Sequence, residues 1–101
     1  MLIHDLNERI AFSEPFVPQL LFRDDRSKAM LICLEAGQGI AAHSEGHQGF
    51  FCVLEGEGTF LSDAGDQPVA QGNLVVALAG STRGFRADKG RLVVLATAVL
   101  G

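Results

Sequence analysis

The chain contains no tryptophan and no tyrosine, and its aromatic content rests on seven phenylalanines. Amphipathic ring surfaces of the kind that stack on bases or sugars are therefore scarce. Cations are scarce too: eight Lys and Arg stand against twelve Asp and Glu, for a net charge of −4. Duplex binding needs clustered Lys and Arg to neutralise phosphates, so nucleic acid is not an expected partner. Two cysteines, Cys33 and Cys52, are too few for a disulfide framework. Each lies within an apolar run, which predicts two small buried hydrophobes and a reduced, cytoplasmic setting. The longest apolar stretch, Leu92 to Leu100, is too short to cross a bilayer. The opening MLIHDLNERIAF has no basic n-region and no apolar h-region, so no signal peptide and no membrane partner are expected.

What the chain does have is apolar mass cut into short pieces. Its 101 residues are 48 % apolar, enough for one core and one domain spanning residues 1–101. Twelve glycines punctuate it. Strand-like segments fall at Gln19–Phe22, Lys28–Leu34, Ile40–His43, Phe50–Leu54, Gly58–Leu61, Gln67–Ala70, Leu74–Leu78, Thr82–Arg86 and Arg91–Val99. Turn-formers separate them, among them Ala36-Gly37-Gln38-Gly39, Glu55-Gly56-Glu57-Gly58 and Gln71-Gly72-Asn73. Helix is limited to a turn near Asn7–Ile10. The pattern predicts an all-β protein, a sandwich or small antiparallel barrel. Leu74–Leu78 is apolar without alternation, which predicts cover on both faces and, in so small a protein, a homodimer.

Spacing then organises the middle of the chain. Gly37 is followed by five residues and His43, then Ser44, Glu45, three residues, Gly49, six residues and Gly56, ending in Val53-Leu54-Glu55-Gly56-Glu57-Gly58. Fifteen residues separate Gly56 from Gly72, which begins a second frame: five residues, Leu78, Ala79, Gly80, two residues, Arg83, three residues, Ala87. The first frame resembles the first cupin motif, G-x5-H-x-H-x3,4-E-x6-G, and the second matches the spacing of G-x5-P-x-G-x2-H-x3-N. The resemblance covers about half the chain and implies a single-domain cupin jelly roll.

In metal-dependent cupins, two His and a Glu of the first motif and a His of the second bind one cation inside the barrel. By position, those sites are here His43, Glu45, Gly49 and Arg83. Gly49 offers no side chain, and the Arg83 guanidinium stays protonated and cannot ligate. The resemblance is therefore to the small, functionally uncharacterised single-domain cupins rather than to the superfamily's dioxygenases or isomerases.

Three readings of the site follow. In the first, the pocket binds a small, anionic molecule without metal. Arg83 is the anchor, Phe51 belongs to the wall, and a Glu45–Arg83 ion pair with a neutral His43 beside it is an alternative filling of the vacated centre. In the second, His43, Glu45 and His47 form a rearranged site for Fe, Zn, Ni or Mn in a metal-dependent enzyme. Arg83 opposes this: unit charges about 4 Å apart at an effective dielectric of about 20 interact by roughly 4 kcal/mol, and a dication would face roughly twice that. In the third, the pocket is vestigial and the protein is a non-catalytic interaction module. Arg86 alternates to the face opposite Arg83 and is the weaker anion ligand. His4 is expected to be exposed, and Asp63 and Asp66 to shape a hairpin turn.

Overall fold

The computed structural model describes residues 1–101 as one short helix, α1 (Leu6–Arg9), and eight strands: β1 (Gln19–Arg23), β2 (Ser27–Leu34), β3 (Gly39–Ser44), β4 (Gln48–Leu61), β5 (Gln67–Ala70), β6 (Leu74–Ala77), β7 (Thr82–Arg86) and β8 (Leu92–Val99). Asp5 caps the helix by accepting from the backbone N–H groups of Asn7 and Glu8, satisfying donors that have no partner within the helix. No helix is long and apolar enough to cross a membrane. The all-β jelly-roll expectation holds. All strand pairs are antiparallel and curl into a half-barrel in the order β1-β2-β8-β4-β7-β3, with β5 and β6 also hydrogen-bonded to β4.

The strand boundaries need one correction. Phe50–Leu54 and Gly58–Leu61 are not two strands around a turn but parts of the single fourteen-residue β4. Its first part pairs with β8 and β6, and its second with β7 and β5. The supposed turn is a register shift between Val53 and Glu55, where a bulge bends one strand from sheet to sheet. Gly56 makes the bend possible. Its φ is +79°, and a Cβ there would collide with the Arg91 carbonyl, so only glycine fits.

Burial runs in a gradient along the barrel. On β2 the residues pass from half-buried at Ser27–Met30 to buried at Leu31–Leu34, and the antiparallel β8 passes from buried at Leu92–Val94 to exposed at Val99. Lys28 pairs with Ala98 at one end of this ladder and Leu34 with Leu92 at the other. The barrel is therefore plugged at one end and open at the other. The plug contains Ile32, Leu34, Val53, Phe60, Phe85, Leu92 and Val94. Phe85 stands 5.3 Å from Phe51 and 5.2 Å from Phe60, ring centre to ring centre, in edge-on geometry that favours aromatic pairs.

A second, outer cluster of Leu31, Cys33 and Val93 is covered by Ile10, Phe12, Leu21 and Leu54, so the N-terminal segment acts as a strap over the sheet. Arg91 lies 4.2 Å from the centre of the Phe12 ring and is held by Glu35. Cys33 is buried and Cys52 half-buried, both as free thiols, and burial pushes the Cys33 thiol up. His4 is partly buried rather than exposed, because the strap brings its Nε2 within 3.0 Å of the Leu21 carbonyl. On the outward side of β6, Leu74 and Val76 stand exposed, as does Leu78 just beyond it. Within one chain nothing covers that apolar row.

Phe85 is 2 % exposed and touches both neighbouring rings. Phe85→Ala is expected to lower the unfolding free energy by about 3–5 kcal/mol, read as an earlier urea midpoint at unchanged slope.

Candidate functional site

The open end of the barrel is a cavity of about 260 Å³, lined among others by His43, Glu45, His47, Gly49, Phe51 and Arg83. The four polar positions singled out in the sequence, together with Phe51, thus meet in one place. Strand phase explains how. On β2 and β8 the inward residues at the open end are Lys28, Met30, Ala96 and Ala98. On β4 they are Gly49 and Phe51, and on β7 the inward residue is Arg83, directly opposite His43 of β3.

Arg83 dominates the site. It is 4 % exposed and is the buried charged residue of the chain. Its Nη2 donates to the Leu78 carbonyl at 2.8 Å and more weakly to the Ser81 carbonyl at 3.4 Å. The Ser81 backbone N–H and hydroxyl also donate to that Leu78 carbonyl, so the turn between β6 and β7 grips one edge of the guanidinium. Nε is buried with no partner. Nη1 lies over Gly49: a Cβ at that position would stand 2.9 Å from it. The absence of a side chain at 49 is therefore what gives the guanidinium its room.

The expected Glu45–Arg83 ion pair does not form. Strand β3 ends at Ser44, and residues 45–47 leave the ladder before β4 begins. Glu45 is carried to the barrel mouth, where Oε1 is 3.1 Å from His43 Nε2 and Oε2 is 4.0 Å from His47 Nδ1. The segment is pinned by two bonds to the β6–β7 turn: Ser44 Oγ donates to the Gly80 carbonyl, and the Gly80 N–H donates to the Glu45 carbonyl. His43 Nδ1 lies 3.0 Å from the Ala41 carbonyl. Both ring nitrogens thus face oxygen atoms. Glu45 has histidine partners at the mouth and Arg83 has no carboxylate.

The metal-centre positions implied by the resemblance do not fit a cation here. The space above Gly49 is occupied by a guanidinium that carries its own charge. The rearranged set shares the mouth of the cavity but is not grouped about one point: His43 and His47 approach different oxygens of Glu45, and no group of three His, Cys, Asp or Glu side chains is arranged to hold an ion. Arg86 is turned outward as its phase predicts. It donates to Asp88, whose carboxyl is held below its usual range by the Thr59 hydroxyl and then by Arg86.

The sequence reading missed Lys28, Met30, Ile32, Ile40 and Phe85, which also line the cavity. Lys28 had a legible signal, since it shares the phase of Met30, Ile32 and Leu34 along β2. The others look like ordinary core residues, and only barrel closure brings them to a pocket.

Solved structures share this architecture. An RmlC-like cupin protein from Desulfovibrio desulfuricans matches with a TM-score of 0.88 at 31 % identity, over 99 % of this chain and 97 % of that one. An uncharacterized conserved protein with a double-stranded β-helix domain from Klebsiella pneumoniae matches with a TM-score of 0.90 at 18 % identity, over 98 % of this chain and 90 % of that one. A DMSP lyase from Ruegeria pomeroyi matches with a TM-score of 0.75 at 19 % identity, over 83 % of this chain and 46 % of that one. The last two likenesses are of fold alone. No family model and no curated protein matches the chain.

A buried charge without a counter-charge destabilises the empty protein. Arg83→Met, which keeps an unbranched side chain and removes the charge, is expected to leave the ligand-free protein as stable or more stable, by about 1–3 kcal/mol. Chemical denaturation in a buffer without small anions checks this. A loss of stability would make Arg83 a structural residue.

Proposed function

Since the chain belongs to the RmlC-like cupin family, we propose that its barrel binds a small anionic organic molecule without metal, with Arg83 as the anchor. The observation that carries this reading is a guanidinium 4 % exposed, lacking any carboxylate partner and bordering an open cavity. A buried cation of this kind is stable in company with an anion, and the fold supplies none. The guanidinium presents its donors in a planar fork that matches a carboxylate. Leu78 and Ser81 hold one edge, so little side-chain freedom remains to be lost on binding. Phe51, Phe85, Ile32 and Ile40 supply an apolar wall for the body of the ligand. His43, Glu45 and His47 line the entrance and set polarity there.

A His43–Glu45–His47 metal enzyme is the second reading. In its favour stands the contact of His43 Nδ1 with the Ala41 carbonyl, because metal-binding imidazoles are commonly oriented by such a bond. Against it stand the divergent approach to Glu45 and the neighbouring cation. The exposed Leu74, Val76 and Leu78 support a homodimer that covers the outer face of β6.

Melting the protein with and without small carboxylates tests the first reading. A ligand at about a hundred times its Kd adds about 2.7 kcal/mol to the unfolding free energy, which for a domain of this size is a rise on the order of 10 °C. The rise is expected in the wild type and absent in Arg83→Met. Stoichiometric metal retained after equilibration with Fe, Zn, Ni or Mn and dialysis, and lost in His43→Ala, would move the assignment to the second reading.

A further inference from the structure

We infer that the cavity selects a short dicarboxylate, with Lys28 as the second anchor opposite Arg83. This rests on the Arg83 reading and goes beyond it. Lys28 pairs with Ala98, Ala98 with Gly49 and Gly49 with Ala77. The four therefore form one row across the sheet, directed into the barrel. Neighbouring strands lie about 4.8 Å apart, so the backbone of Lys28 stands about 10 Å from that of Gly49. Over Gly49 lies Nη1 of Arg83. Between the two cations the row offers only the methyl group of Ala98, and Met30 and Ala96 extend the same surface inward.

The result is an apolar floor with a cation at each end. Lys28 makes no ion pair, and neither does Arg83. Glu45 is the cavity's one carboxylate, and its partners are His43 and His47. Two charges held apart by an apolar strip are complementary to two carboxylates held apart by methylenes. One carboxylate takes the free edge of the Arg83 fork, the carbon chain covers Ala98, Ala96 and Met30, and the second carboxylate reaches the Lys28 ammonium. A compact anion such as phosphate has no carbon body to cover the floor. The cavity's 260 Å³ lies below the roughly 300 Å³ at which drug-sized sites begin, which keeps the molecule short.

Calorimetric titration of the full chain in low-chloride buffer compares each dicarboxylate with the monocarboxylate of equal length: succinate with butyrate, glutarate with pentanoate, adipate with hexanoate. At least one dicarboxylate is expected to bind about tenfold more tightly than its counterpart. Lys28→Met and Lys28→Gln are expected to reduce that preference to about twofold or less, and Lys28→Arg to retain it. A preference that survives in Lys28→Met, or inorganic phosphate binding as tightly as the best dicarboxylate, overturns the inference. Equal binding of the two series, abolished by Arg83→Met, removes the Lys28 anchor and leaves the anionic pocket standing. No binding of any carboxylate overturns both readings together.

Discussion

A guanidinium cannot give up its proton inside a protein, and Arg83 keeps that charge where almost no water reaches it. Much of the open end of the barrel is arranged around this fact. The Leu78 carbonyl is turned inward to accept from Nη2. Gly49 has no side chain, because the head group takes its place. Gly84, the next residue along β7, cannot carry one either: a Cβ there would stand 2.6 Å from the Ile40 carbonyl and 2.7 Å from the Ala42 nitrogen. That close approach of β3 to β7 holds the strand bearing Arg83 firmly against its neighbour. These contacts fix the guanidinium in space, but only partly satisfy it, since Nε has no partner.

In the motif frame that the sequence resembles, the same positions gather negative and neutral donors around a positive ion. Here the polarity is reversed. A glycine replaces one ligand position and an arginine another, and the two changes fit each other, because the missing side chain makes room for the longer one. His43 keeps the identity of the first motif, Glu45 stands where that motif has its second histidine, and the two face each other at the mouth. One frame can therefore hold opposite kinds of site, which is why recognising it identified the fold without identifying the chemistry.

The strands and turn glycines were legible because their signals are local. Alternation, β-branched content and turn residues reveal nearly every strand within a few positions. The long β4 was not legible as one strand, since Glu55-Gly56-Glu57-Gly58 has the composition of a turn; only pairing with β8 and β7 on successive stretches makes it a bend. That His43, Glu45 and Arg83 share one cavity was legible through motif spacing, and His47 through its alternation with residues 43 and 45. Their partners were not. Whether Glu45 reached Arg83 depended on where β3 ended, and a strand end one residue earlier or later sends a side chain to a different face. Lys28 lies nine residues upstream of the first motif, so its entry into the cavity follows from the β2–β8–β4 ladder and from no nearby pattern.

The burial gradient reconciles an unsatisfied charge with a stable fold. Phe85 and Arg83 are two residues apart on β7 and point to the same side of the sheet. One faces the aromatic plug and the other faces the cavity. The plug contributes favourable burial at the closed end, and the strands that carry it continue without a break into the open end. Rigid strands transmit that order, so the guanidinium is held in place by structure stabilised elsewhere. On the proposed reading such a site is preorganised: the guanidinium is already fixed by Leu78 and Ser81, and an anion would relieve an electrostatic penalty while disturbing little of the packing. The glycine beneath the charge and the backbone turn behind it thus fix the guanidinium in place without neutralising it.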